Sequence, residues 1–373
     1  MMYLDHAATT KIDPKVLEVL TEANNRFFAN ASSLHDLGNE ANQALKQART
    51  TLAGTLGVDA EEIVFTSGGT EANQLAILTL LESLTHGDKH LITTRIEHSS
   101  IYNLFKKLET KGYQVTYLDV DETGLISLER LKGSITNETT LVAIQHTNSE
   151  IGVIQNIKDI GKFLSSKGIN FHSDLIQSYG KIPLDLKEMN LTSAAVSSHK
   201  IYGPKGIGLT YFSKEMSYQP YYPQTTHEFG FRPGTVDVPS ALAFAYAGQE
   251  AIKQLNEDQQ KAKELRNHLE YKLQESNKIV IHSHPTNQLN QIIAISINGL
   301  QGQYAMLECS RYNLAISTGS ACQIGQTSPS RTMMSMGKTE DKAKELIRIS
   351  TGRYTTKEEM DHLANVLIKI SQE

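Results

Sequence analysis

The sequence predicts an α/β protein: a mostly parallel sheet between helical layers, with a smaller α+β unit after it. Three observations carry this expectation. Short apolar runs alternate with helix-period segments from residue 14 to residue 212, the pattern of a parallel sheet covered on both faces. The chain has 373 residues, more than one simple core usually holds. After Pro239 the texture changes to a long helical stretch with a very polar middle.

The elements follow in order. Pro14 to Phe28 reads as a helix with Asp13 as N-cap and Pro14 at its first position. Leu37 to Leu56 reads as an amphipathic helix that ends before Gly57. Glu62 to Thr66 is a short strand, and Ser67-Gly68-Gly69-Thr70 then opens a helix through about Ser83. Strands are expected at His90 to Thr94, Gln114 to Leu118 and Leu141 to Gln145, and at Asn170 to Ser173, Ala194 to Ser197 and Gly208 to Phe212. With Glu62 to Thr66 they make seven. Helices are expected between them at Ser99 to Lys111, Ser127 to Gly133 and Ile157 to Lys167. Ala241 to Ser276 reads as one long helical stretch. A strand (Gln291 to Ile297), a helix (Gly302 to Cys309), a strand (Leu314 to Ser317), a polar loop and closing helices complete the chain. The boundary is placed near residue 256. Residues 14–256 form the expected large domain, and residues 1–13 with 257–373 the small one.

Composition narrows the function classes. The chain is 39% hydrophobic and 21% charged with a formal net charge of -5, which favours neither nucleic acid nor an anionic membrane. No apolar run approaches the roughly 20 residues of a membrane span. The first residues lack the basic-then-apolar pattern of a secretory signal. Two cysteines, Cys309 and Cys322, exclude a disulfide framework, so a reducing cytoplasm is the expected compartment. No metal site is expected.

Four clusters carry chemistry. Ser197-Ser198-His199-Lys200 ends an apolar strand, and the turn Tyr202-Gly203-Pro204-Lys205-Gly206 follows. An amine so placed can bond an aldehyde cofactor, while Ser197 and His199 reach its phosphate. Asp174 follows the strand Asn170 to Ser173, at its carboxyl end, where open α/β sheets bind ligands. Its carboxylate can hold a pyridine nitrogen as the cation, with Gln177 donating to the ring oxygen. Gly69 and Thr70 open a helix whose free amides suit a phosphate, although a plain glycine turn with Thr70 as N-cap reads the same stretch. Together these point to pyridoxal 5'-phosphate. Cys322 lies in a loop of small and polar residues, which suits a nucleophile that must travel, whereas Cys309 sits among apolar neighbours at helical spacing. Arg348, in Leu-Ile-Arg-Ile-Ser, has the fork that captures an amino-acid carboxylate. His98, between a strand and a helix, can stack on a planar ring or serve the fold alone.

The chain resembles the NifS/IscS-type cysteine desulfurases, in the class V branch of fold-type I pyridoxal-phosphate enzymes. The resemblance covers nearly the whole chain. It rests on Tyr3-Leu-Asp-His-Ala-Ala-Thr-Thr10, Val64-Phe-Thr-Ser-Gly-Gly-Thr-Glu71, Glu97-His98, Asn148-Ser-Glu-Ile-Gly152, Asp174-Leu-Ile-Gln177, Ser198 to Gly206, Arg232-Pro-Gly-Thr235, Gly319-Ser-Ala-Cys322 and Ile347-Arg-Ile-Ser350. It implies Lys200 as the Schiff-base lysine and catalytic base, and Cys322 as the persulfide-forming nucleophile. It implies His98 stacked on the ring, Asp174 and Gln177 on the ring atoms, and Gly69, Thr70, Ser197 and His199 on the phosphate. Arg348 and Asn148 would meet the substrate, L-cysteine. Thr235 would reach the phosphate across a dimer interface, which implies a homodimer. The long loop around Cys322 resembles the group I form, which hands sulfur to an acceptor protein for Fe–S clusters or tRNA thiolation. Ser149 stands where the family has a second asparagine. Other readings stay open: a selenocysteine lyase or aminotransferase on the same scaffold, or a non-catalytic sulfur-assembly scaffold, which would bind no chromophore.

Overall fold

The computed structural model describes residues 1–83, 89–216, 218–222, 224–319 and 328–372. Its strands are β1 (Met2–Tyr3), β2 (Ile63–Thr66), β3 (His90–Thr94), β4 (Gln114–Leu118), β5 (Thr139–Ala143) and β6 (Asn170–Asp174), then β7 (Ser193–Ser197), β8 (Gly208–Phe212), β9 (Ile279–His282), β10 (Ile292–Ile297), β11 (Leu314–Ala315) and β12 (Leu346–Ser350). Seven of them form one sheet in the order β2-β8-β7-β6-β5-β3-β4. Only β8 runs against its neighbours, so the sheet is mixed but mostly parallel, as expected. β3, β5, β6, β7 and β8 are buried along their whole length, which is why they read as apolar or small-residue runs rather than alternations.

The helices follow local chemistry. Asp13 caps Pro14–Arg26 by accepting from the Lys15 amide at 2.9 Å. Gly57, with φ 69°, ends Asp36–Leu56 in the left-handed conformation. Asp36–Leu56 packs Ala41, Ala48 and Leu52 beside Val238–Lys253, which buries Ala241, Phe244 and Ala251 in the same core.

Several expected bounds move. The strand expected at Leu141 to Gln145 begins two residues earlier, where Thr139 pairs with His90 across a register shift. The stretch Ala241 to Ser276 is two helices, Val238–Lys253 and Leu255–Leu273, parted at Gln254. β1 and β9 were not expected; both are short, and β9 is half-exposed at the edge of a three-stranded antiparallel sheet, β12-β10-β9. The closing helices are interrupted by β12, in which Leu-Ile-Arg-Ile-Ser is a fully buried strand. A second core gathers Leu4, Leu269, Ile293, Ile295, Ile349, Leu363 and Leu367 around this sheet. Met333, Met336 and Leu346 belong instead to the large core.

Candidate active site

β2, β3, β6 and β7 end on the same side of the large sheet, and their last residues are Thr66, Thr94, Asp174 and Ser197. A cavity of about 310 Å³ opens there, a size suited to a small cofactor with its substrate. Gly69, Thr70, His98, Asp174, Gln177, Ser197, His199, Lys200 and Arg348 all line it. The fold therefore gathers residues spread over nearly 280 positions of sequence.

Lys200 stands in the tight turn Ser198–Lys200 after β7. Its Nζ donates to the carbonyls of Ala7 (2.5 Å) and Ala8 (2.6 Å), so the N-terminal segment closes one wall of the cavity. Gly203 returns the chain towards β8. A Cβ there would lie 2.0 Å from Ser198 Oγ and 3.0 Å from the Ser198 carbonyl, so a larger residue would have to displace the serine. The Asp174 carboxylate accepts from Asn73 Nδ2 and the Ile176 amide, each at 2.9 Å. Asn73 Oδ1 in turn accepts from His172 Nε2 at 3.0 Å, a buried imidazole that desolvation pushes down to about 3 and so keeps neutral. Gln177 Nε2 donates to the Ala7 carbonyl at 2.9 Å, and its Oε1 accepts from Lys181 Nζ at 2.8 Å.

The turn after β2 is shaped for an anion. Gly68 has φ 144°, where L side chains are strained, and it is the N-cap of the helix Gly69–Glu82; Thr70 lies inside that helix. A Cβ on Gly69 would lie 2.2 Å from Ile176 Cδ1. The Ser67 amide donates to the Glu71 carboxylate, which also accepts from Arg232 Nε at 2.8 Å. Ser197 Oγ is buried with no hydrogen-bond partner among the described residues. An unspent hydroxyl beside unpaired first-turn amides is a donor set that fits a phosphate. His199 Nδ1 lies 3.1 Å from Thr9 Oγ1. Burial first, then the neighbouring lysines, push its imidazole down to about 4, so it is neutral at pH 7.

Arg348 is buried on β12. Its Nη2 pairs with Asp5 at 2.8 Å, and its Nη1 donates to the carbonyls of Ser149 (3.0 Å) and Gly319 (3.1 Å). His98 caps the helix Ser99–Thr110, its Nδ1 accepting from the Ser100 amide at 3.2 Å while its ring faces the cavity.

Two named residues lie outside this cavity, one of them, Thr235, expected at a partner's site rather than here. Asn148 is buried outside the cavity: its Oδ1 accepts from the Glu150 and Ile151 amides and its Nδ2 donates to the Ile96 carbonyl at 3.2 Å, so its side chain builds its own turn. Thr235 is exposed and lines no part of the cavity. Cys322 lies outside the described residues. Cys309 is a core residue, as expected, and burial pushes its thiol up to about 12.

Three residues at or beside the site went unremarked or without a role in the sequence. Glu97 is buried at the cavity wall, accepting from Thr94 Oγ1 and the Gln145 amide. Burial pushes its carboxyl up to about 8. Lys181 is drawn down to about 7, by burial first and then by Lys200 and Arg348. Arg331 lines the cavity beside Glu97. Lys181 and Arg331 are lone charged residues without a motif around them, and Glu97 enters only as the neighbour of His98; the fold makes all three notable.

Comparison with known proteins gives the family. Residues 2–363 match the aminotransferase class-V family. The chain belongs to it. The NifS protein of Bacillus subtilis (strain 168) is 43% identical over 366 residues, covering 97% of this chain and 93% of the relative. The cysteine desulfurase IscS of Rickettsia massiliae (strain Mtu5) is 36% identical over 373 residues, covering 98% and 90%. A solved NifS-like protein superposes with a TM-score of 0.93 at 32% identity, covering 100% of this chain and 99% of that one. This class V chain therefore has the fold of pyridoxal-phosphate enzymes, and the family's cofactor is pyridoxal 5'-phosphate. Its donor needs match the unspent Ser197 hydroxyl, the Gly68–Thr70 turn, Asp174 and Lys200. Among the described residues no helix is long and apolar enough to cross a membrane, and no cluster of histidine, cysteine or carboxylate side chains could hold a metal.

Proposed function

We propose that this protein is a cysteine desulfurase that converts L-cysteine to L-alanine and leaves the sulfur as a persulfide on Cys322. The observation that carries the reading is the single cavity lined by Lys200, Asp174, Gln177, Ser197, His98 and Arg348. The balance is internal. The substrate C–S bond breaks, an S–S bond forms on Cys322, carbon is reduced, and the transferred sulfur is oxidised to the sulfane level.

Pyridoxal 5'-phosphate, when bound, supplies the aldehyde that takes up the substrate amine and the ring that accepts electrons from its α-carbon. The chain's residues do the rest. Lys200 anchors the cofactor and, once released, removes the α-proton and later returns one. Asp174, fixed by Asn73 and the Ile176 amide, keeps the ring nitrogen protonated. Gln177 would donate to the ring oxygen, and His98 would stack on the ring. Ser197, His199 and the Gly69–Thr70 turn hold the phosphate. Arg348 orients the substrate carboxylate. Asn148 acts through the turn that carries Ser149 and Glu150 rather than by direct contact.

The reading extends to the assembly. The chain works as a homodimer in which Thr235, exposed in one protomer, completes the partner's phosphate site. It acts in the cytoplasm and passes sulfur to an acceptor protein serving Fe–S clusters or tRNA thiolation. The division near residue 256 separates the cofactor-binding unit from the unit carrying Cys322. The experiment is a Lys200→Ala variant compared with wild type. Wild type takes up the cofactor with a visible band that changes on addition of L-cysteine, and alanine forms. The variant is expected to lose that band and to form no alanine. A variant that still converts cysteine refutes the assignment of Lys200.

A further inference from the structure

Arg331 is placed where a ligand anion is needed. It lines the same cavity as Lys200 and Arg348. Its guanidinium carbon sits over the Tyr102 ring, 3.8 Å from the centroid, a cation–π contact that helps to fix its direction. Its Nη2 donates to the Glu97 backbone carbonyl at 3.2 Å. Its Nη1 is buried and has no hydrogen-bond partner among the described residues. An unmet guanidinium N–H costs its full desolvation, more than a neutral donor would.

The nearby carboxylates are committed elsewhere. Asp5 is paired with Arg348 at 2.8 Å. Asp174 holds Asn73 and the Ile176 amide. Glu150 accepts from Ser330 Oγ. The Glu97 carboxyl accepts from Thr94 and Gln145, and burial outweighs the opposing pull of Arg331 and holds it protonated at neutral pH. Arg348, for its part, already spends Nη1 and Nη2 on Asp5 and two carbonyls.

We infer that Arg331 shares the substrate α-carboxylate with Arg348, its Nη1 supplying a donor that the fold leaves unspent. The inference rests on the amino-acid substrate proposed above and deepens it. Arg348, pinned by Asp5, sets the position of the carboxylate; Arg331, held over Tyr102, adds charge and a second direction.

The test compares L-cysteine with cysteamine, which has the amine and thiol but no carboxylate, on wild type, Arg331→Gln and Arg331→Lys holoenzymes. Binding is read from the change in the cofactor's absorbance as each thiol is titrated, and KM and kcat for L-cysteine are measured alongside. The expected result is that R331Q weakens L-cysteine binding by about tenfold to a hundredfold, the range for a charge-assisted hydrogen bond, while cysteamine binding changes less than twofold. R331K is expected to restore part of the loss. Equal weakening of both ligands means that Arg331 only supports the fold, and unchanged L-cysteine binding means that it does not meet the carboxylate; either overturns the inference. If wild type itself makes no alanine from L-cysteine, the functional reading fails instead, and the two failures are distinct.

Discussion

At the scale of single residues, the cavity is governed by charge held out of water. Glu97 is the clearest case. Its carboxyl sits near 8 in the fold against about 4.3 in an unfolded chain. The folded state binds the extra proton between those values, so this group's stabilising contribution is complete below about pH 4.5 and is lost as pH rises through about 8. Glu97→Gln removes the titrating group. Melting temperatures of the two proteins should therefore diverge between pH 5 and pH 8.5, with wild type falling relative to the variant; parallel curves contradict the assignment. The contiguous motifs around Lys200, Asp174 and Gly69 were readable in the sequence because each pairs a strand end with small or capping residues. Arg331 and Lys181 carry no such signature. Lys181 matters through burial beside Lys200 and Arg348, and Arg331 through its place on the cavity wall over Tyr102, and both arise only when distant segments converge.

At the scale of elements, close backbone approach positions the anion turn. Gly208 opens β8, and a Cβ there would meet the Val196 carbonyl at 2.6 Å and the Gly68 backbone at 2.9 Å. All of these neighbours are main chain and cannot swing aside. Gly208→Ala should push β8 away from the Gly68 turn, lowering stability by about 1–3 kcal/mol and weakening cofactor binding as read by absorbance titration. A variant with unchanged cofactor affinity would show that the turn does not need this contact. Most of the large sheet followed from its sequence, because long buried strands flanked by helices repeat one pattern. The short β1 and the half-exposed β9 did not, since two to four residues show no period. β12 was passed over because Leu-Ile-Arg-Ile-Ser sits between helical segments, and its arginine is buried against Asp5 and the Ser149 and Gly319 carbonyls, all distant in sequence.

At the scale of the whole molecule, one buried ion pair ties the segment bearing Arg232 and Thr235 to the large core. Arg49 Nη1 and Nη2 grip Glu228 at 2.9 and 2.5 Å, and the Phe65 amide donates to the same carboxylate. The guanidinium lies 4.8 Å from the centroids of both Phe65 and Phe229. Glu228 and Phe229 have φ of 46° and 57°, left-handed conformations that non-glycine residues hold only under tertiary constraint. Glu228→Ala leaves Arg49 buried and unpaired, and should cost about 3–5 kcal/mol in a urea titration. On the proposed homodimer, in which Thr235 works across the interface, it should also shift light scattering towards the monomer. A stable, fully dimeric variant would deny that role.

In the proposed reaction sulfur leaves L-cysteine and lands on Cys322. The most direct measurement is a single-turnover reaction of holoenzyme with L-cysteine under anaerobic conditions. Alanine is quantified, and the persulfide is trapped by alkylation and located by peptide mass spectrometry. The account predicts one alanine per active site, with the added sulfur on the peptide containing Cys322, and no persulfide in Cys322→Ala. A keto acid in place of alanine, or an equal persulfide yield in that variant, would contradict it.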